Sequence, residues 1–223
     1  MDPFGLSFKL AAWCTVLLLP VGLLLGRTLA RWRSPLVPWL DALLLLPLVL
    51  PPTVIGYYLL LWLGPSSALG AWLAEHVAGG VVFAFPGLLI ASLVVNLPFA
   101  VQPLSQAFAA LPRELTEAAR VSGLGPLATF WHIELPLVWP GLLGAAALVF
   151  AHTLGEFGVV LMIGGNIEGS TRTVSIAIYD AVQSFQTTLA GRYSLALLLL
   201  SLVCLALVRF GAGRRTGSGT GAR

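Results

Sequence analysis

Ionisable side chains are scarce in this sequence, so each one raises the question of what chemistry it could do. Only 9% of its 223 residues are charged, against about 25% in soluble domains. His152 and Glu156 are four apart inside an apolar run, which puts an imidazole and a carboxylate on one helical face. Such a pair alone could argue for an intramembrane enzyme, but it is no nucleophile–base–acid set. The other histidines, His76 and His132, lie far away in the chain. Cys14 and Cys204 sit in apolar runs without metal-ligand spacing and read as packed or lipid-facing thiols. No catalytic residue, metal site or bound cofactor is expected. A phosphate-binding G-x-x-x-x-G-K-[ST] is absent as well. The densest polar stretch is "EAARVSGLGPLATFWHIELP", residues 117–136, with Glu117, Arg120, His132 and Glu134 between two apolar runs.

The elements that must carry these residues are membrane spans. The chain is 58% apolar and its mean hydropathy is +0.93. A crossing helix needs about 20 mainly apolar residues. Candidate spans are 8–27, 42–63, 81–108, 137–163 and 193–210. The second carries a break at Pro51-Pro52, and the third is expected to bend or break around Asn96, Pro98 and Pro103. Lys9 precedes the first apolar run, but the stronger cluster Arg27, Arg31 and Arg33 follows it, the reverse of a secretory signal. Residues 65–80 read as a short outside segment. Within 166–192, the spacing of Val174, Ile178, Ala181, Val182 and Phe185 predicts an amphipathic helix on or near the outer surface.

Charge orients the five spans. Arg27, Arg31, Arg33, Arg113, Arg120, Arg209, Arg214, Arg215 and Arg223 fall on one side, and Lys9, Arg172 and Arg192 on the other. Bases concentrate on the cytoplasmic side, so the N-terminus is expected outside and the C-terminus inside. A six-span alternative split near Glu156 would export the Arg-rich tail. The expected organisation is one all-α permease domain over 1–210, with a cytoplasmic loop at 112–136 and a disordered tail at 211–223. The small net charge of +3, scattered over short loops, argues against a nucleic-acid partner.

The cytoplasmic stretch has helix punctuation. Pro112 opens a helix, Glu114 and Glu117 favour its positive end, and Gly123 stops it. Arg113 and Glu117 are spaced to pair. Leu115, Ala118, Ala119 and Ser122 make one face of mostly small residues. Pro126 starts a second short helix with Leu127, Phe130 and Trp131 as apolar contacts, and Leu135-Pro136 ends the element. Two capped turns with an apolar face form a docking surface.

The spacing Glu117-Ala118-Ala119, Gly123, Ile133, Leu135-Pro136 matches the cytoplasmic signature of permeases of binding-protein-dependent ABC importers, and the chain resembles that family throughout. The resemblance implies that Glu117, Ala118, Ala119, Gly123, Leu127, Ile133 and Pro136 contact a separate ATPase subunit that binds ATP-Mg. The stretch 152–180, with Gly-Glu-Phe-Gly at 155–158, Gly-Asn-Ile at 165–167, Thr-Arg-Thr at 171–173 and Ile178-Tyr179, is similar to molybdate permeases. Tungstate and sulfate are the alternative substrates, and an ATP-independent channel or carrier is the alternative class. The implied assembly is a homodimer in the bacterial inner membrane, with two ATPase subunits and a periplasmic molybdate-binding protein.

Intramembrane ionisable groups usually face a bundle interior. A carboxylate repels a dianion, so Glu156 reads as a structural or gating partner for His152, Arg172 or backbone N–H groups. Neutral donors suit an oxyanion better: Thr53, Asn96, Gln102, Ser105 and Thr153 are the pathway candidates, although a packing hydrogen bond would explain each alone. Gly155, Gly158, Gly164 and Gly165 would allow close helix approach.

Overall fold

The computed structural model describes residues 2–32, 34–77 and 80–213, and the side chains among them up to residue 206. Arg33 and the tail residues Arg214, Arg215 and Arg223 lie outside the described residues. The described chain is helical throughout. In order it forms α1 (Pro3–Arg31), α2 (Val37–Val49), α3 (Pro52–Leu63), α4 (Ala68–His76), α5 (Phe85–Ala109), α6 (Arg113–Val121) and α7 (Pro126–Thr129). A π-helical turn (Phe130–Glu134) then leads into α8 (Leu135–Gly155), followed by α9 (Gly158–Gly164), α10 (Val174–Gln183) and α11 (Thr187–Gly213). Four helical stretches among the described residues are long and apolar enough to cross a membrane, and the bent pair α2–α3 would make a fifth. The protein is a multi-pass membrane protein.

The centre of the fold is α1 packed on α5 and α8. Lys9 Nζ lies 4.4 Å from the Phe85 ring centre, and Gly22 and Gly26 face Ala100 and Ser105, so α1 and α5 run parallel. A Cβ on Gly22 would stand 2.9 Å from the Ala100 carbonyl oxygen, and one on Gly26 would stand 2.8 Å from the Ser105 nitrogen. Two glycines one turn apart let the two backbones touch, which is how helices gain packing in lipid. Helix α8 runs the other way: Phe8 meets Phe150, while Arg27 meets Glu134. Helix α11 starts beside the start of α1, where Phe4 and Tyr193 make an edge-on ring contact at 5.5 Å.

These directions put the bases at two ends. Arg27, Arg31, Arg113 and Arg120 lie at the end of the 112–136 loop. Lys9, Arg172 and Arg192 lie at the other, tied there by the Phe85 contact, the Ser7 Oγ bond from the Val174 N–H and the Phe4–Tyr193 contact.

Several element boundaries differ from the sequence expectation. The second span is a pair of helices bent by 104° at Leu50-Pro51, because Pro51 and Pro52 supply no N–H to carry α2 onward. The third does not break at Asn96 or Pro98: α5 is continuous from 85 to 109, with Pro98 buried among neighbours that hold the helix together. The fourth starts at Pro126 rather than 137, and Pro136 does not end the loop element. There the wider π turn lets the Leu135 N–H reach the Phe130 carbonyl, and the missing N–H of Pro136 falls at the return to α geometry. Its far end stops at Gly155 instead of 163. The chain breaks at Glu156-Phe157, yet the seven-residue α9 is too short to be a sixth span.

The last span begins earlier than expected, at Thr187. Helix α10 is amphipathic as expected, but its buried face is Val174, Ile176, Ala177 and Ala181, packed against α1, α8 and α11 behind the Thr173 cap, while Tyr179, Val182 and Gln183 are exposed, as is Phe185 just beyond it.

Candidate functional site

The polar stretch forms a compact helix–turn–helix at one end of the bundle. Pro112 precedes α6, and Gly123 (φ +79°) ends it in a Schellman motif. The Leu124 N–H reaches the Ala119 carbonyl and the Gly123 N–H reaches that of Arg120. Thr129 then bonds back to the Gly125 carbonyl, fixing the first turn of α7. Of the α6 face Leu115, Ala118, Ala119 and Ser122, only Ala119 is buried, so Glu117, Ala118, Ser122 and Gly123 remain open. The spaced pair Arg113–Glu117 is not among the ion pairs that the described residues form. Leu127 is 72% exposed and Trp131 56%, whereas Phe130 is half-buried. Ile133 is half-buried and Pro136 exposed.

What fixes this element to the spans is Glu134, which the sequence reading left without a role. Its side chain is fully buried. Arg27 donates through Nε at 2.6 Å to one carboxylate oxygen and through Nη2 at 3.3 Å to the other. Arg31 Nη2 lies 2.7 Å from that second oxygen. Arg27 also lies over the Phe130 ring, 5.5 Å from its centre. A buried carboxylate is tolerated only when paired and hydrogen-bonded, and here two guanidiniums do both. The signal was in the sequence: Arg27 and Arg31 are one turn apart, and Glu134 borders an apolar run.

A second polar group lies within the spans. Asn96, on α5, is fully buried; its Nδ2 donates to the Ser92 carbonyl and its Oδ1 faces His152 Nδ1 at 3.0 Å. His152 also packs at a tilt of 32° on Phe99, with ring centres 4.2 Å apart, and its Nδ1 is 3.8 Å from a Glu156 oxygen. Glu156 sits in the α8–α9 break, where its other oxygen receives the Val159 N–H at 3.4 Å and its backbone carbonyl receives Ser175 Oγ at 2.5 Å. Thus Glu156 is partnered by His152 and a backbone N–H. Arg172, in the loop before α10, instead bonds to Asn166 Oδ1 and pairs with Glu168 of that loop and with Asp180 of α10. Ser92 Oγ, one turn before Asn96, is the one buried side-chain polar atom among the described residues with no hydrogen-bond partner.

The remaining pathway candidates do not join this group. Thr153 donates to the Val149 carbonyl one turn back, a packing bond. Gln102 donates to Asp41 at 2.6 Å, an unexpected tie between α5 and α2. Ser105 is half-buried, its N–H side covered by Gly26. Thr53 is exposed at the start of α3, beside the place where Pro52 meets Gly158. That contact joins the two chain breaks: a Cβ on Gly158 would stand 2.7 Å from Pro52 Cβ. Gly164 and Gly165 are likewise crowded, by Leu88 and Phe83, whereas Gly155 faces open space and permits no close packing.

The comparisons with known proteins agree with this architecture. The family model described as "Binding-protein-dependent transport system inner membrane component" matches residues 19–214. The molybdenum transport system permease protein ModB of Azotobacter vinelandii is 46% identical over 93% of this chain and 94% of its own. The ModB of Mycobacterium tuberculosis is 38% identical over 98% of this chain and 80% of its own. A chain in the crystal structure of a bacterial alginate ABC transporter, in complex with an alginate pentasaccharide-bound periplasmic protein, shares the fold. Its TM-score is 0.76 at 17% identity, over 97% of this chain and 79% of that one. The chain belongs to the family of inner membrane components of binding-protein-dependent transport systems.

Proposed function

We propose that this chain is the permease subunit of an ATP-driven importer of molybdate. The observation that carries the reading is the 46% identity to a molybdenum transport permease along 93% of the chain. The geometry supports it through the exposed helix–turn–helix of 112–136, held to α1 by Glu134.

In this reading two copies form the pathway in the bacterial inner membrane, the 112–136 loops face the cytoplasm and the N-termini face the periplasm. The arrangement of bases supports that orientation. Two ATPase subunits, each binding ATP-Mg, dock on Glu117, Ala118, Ala119, Gly123 and Leu127, with Ile133 and Pro136 seating the second half of the element. Closure of the ATPase dimer draws the two loops together. The Arg27–Glu134–Arg31 cluster passes that displacement to α1 directly, in addition to the covalent route into α8. A periplasmic binding protein delivers the anion from the other side. Residues 1–210 act as one permease domain, and 211–223 form a cytoplasmic tail.

Along the pathway, Asn96 and His152 are the polar wall, Glu156 braces His152 and caps α9, and the α2–α3 and α8–α9 breaks are the places where the wall can move. Uptake of labelled molybdate by cells expressing the permease with its ATPase and binding protein, with tungstate and sulfate as competitors, tests the reading. Saturable uptake that needs ATP and is blocked by tungstate more than by sulfate is expected. Uptake without the ATPase would favour a carrier and overturn it.

A further inference from the structure

At the end of the bundle where Arg27 and Arg31 hold Glu134, an open groove of about 480 Å³ runs between α1 and α7. It is lined by Pro20, Leu23, Leu24, Arg27, Pro126, Leu127, Phe130 and Trp131. One wall is the last turns of the candidate span α1 and the other is the start of the next, so in the proposed orientation the groove opens where the cytoplasmic face of the bilayer meets the loop. Leu24, Leu127 and Trp131 are all more than half exposed in it. Around the corner, Arg27, Thr28, Arg31 and Trp32 line a second, shallower depression, so Arg27 is common to both.

The charges there do not balance. Two guanidiniums share one buried carboxylate, which leaves a net positive charge at the mouth of an apolar groove. Each guanidinium has five N–H donors. Glu134 takes two from Arg27 and meets one nitrogen of Arg31, so most donors are unspent, and both side chains are about a third exposed. Thr28 spends its hydroxyl proton on the Leu24 carbonyl and does not compete for them. Trp32 and Trp131, one on each side, are the side chains that prefer the headgroup level. An apolar slot with surplus cations at its mouth fits an amphipathic anion.

We propose that this is a binding site for an anionic phospholipid, its phosphate on the free N–H groups of Arg27 and Arg31 and an acyl chain along Leu24 and Trp131, beside the Leu127 side chain that the ATPase would cover. Basic pockets between spans at a membrane face hold such headgroups. The occupied site would brace α7 against α1 through lipid, beside the Glu134 bridge.

Quenching of Trp131 by brominated lipids tests the site without reference to transport. The full-length protein is reconstituted with brominated phosphatidylglycerol or brominated phosphatidylcholine over the same range of mole fractions, and the Trp131→Phe variant isolates that residue's share. Because one surplus positive charge favours anionic lipid by roughly fivefold, phosphatidylglycerol should quench Trp131 at roughly fivefold lower mole fraction than phosphatidylcholine when each is titrated. Arg31→Gln, which leaves the two-point Arg27–Glu134 contact in place, should reduce that preference. Leu24→Phe, which fills the groove without adding an indole, should abolish quenching by either lipid. Soluble glycerol phosphate should not displace the lipid; if it does, the site binds free phosphate and the lipid proposal fails. Equal quenching by both lipids, or none by either, also overturns the proposal, the latter because protein then covers the groove.

Discussion

The carboxylate of Glu134 is buried and gripped by Arg27, whose Nε lies 2.6 Å from one of its oxygens, although the two residues are 107 positions apart. This contact ties the helix–turn–helix of 112–136 to the first span. Removing the acid leaves two cations partly buried, which in fully buried pairs costs about 3–5 kcal/mol. Both arginines are about a third exposed here, so about 1–3 kcal/mol is expected for Glu134→Ala. Thermal unfolding in detergent measures it. Arg27→Gln should cost more than Arg31→Gln, because Arg27 contacts both oxygens; the reverse order would contradict the two-point geometry.

Gly22 and Gly26 hold α1 to the α5 backbone. Gly22→Ala and Gly26→Ala place a methyl within 3 Å of backbone atoms, and over-packing of this kind costs about 1–3 kcal/mol. Gly144→Ala is the control, since its Cβ would meet nothing within 4 Å. The same unfolding assay should rank Gly144→Ala as neutral and the other two as destabilised.

Much of this was legible in the sequence, and the failures share a cause. The break at Pro51-Pro52, Pro112 as helix opener and Gly123 as helix stop depend on local backbone chemistry, and they stand, while four of the five expected spans are single helical stretches and the second is the bent α2–α3 pair. Prolines 98 and 136 misled because tertiary neighbours and a π turn absorb their missing N–H groups. Glu134, Asp41 and the Gly22/Gly26 contact were passed over because their partners lie 61 to 107 residues away, beyond any periodicity. The Asn96–His152 contact escaped for the same reason, although each residue alone was singled out.

Within the spans, Asn96→Ala removes the acceptor that fixes His152. Side-chain hydrogen bonds between membrane helices average about 0.6 kcal/mol, so the protein should remain folded. If Asn96 and His152 wall the pathway, uptake should fall severalfold while the unfolding temperature hardly moves. Unchanged uptake would remove them from the pathway.

Arg172 pins the loop before α10 through Asn166, Glu168 and Asp180. Its ion pairs are largely at the surface, with Glu168 85% exposed, so Arg172→Ala should cost less than about 1 kcal/mol overall. Amide hydrogen exchange should nevertheless quicken across 166–173 and leave α5 unaffected.

In the proposed reading the 112–136 element couples the spans to a separate ATPase. The most direct measurement is co-purification of the ATPase subunit, with ATP-dependent molybdate uptake, for Gly123→Val and Gly123→Asn. The left-handed backbone at Gly123 excludes a β-branched residue but admits asparagine, and a Cβ there would meet nothing within 4 Å. The expected result is loss of ATPase association and uptake in Gly123→Val, with both largely kept in Gly123→Asn and the spans folded in each. Full association and uptake in Gly123→Val would contradict the account.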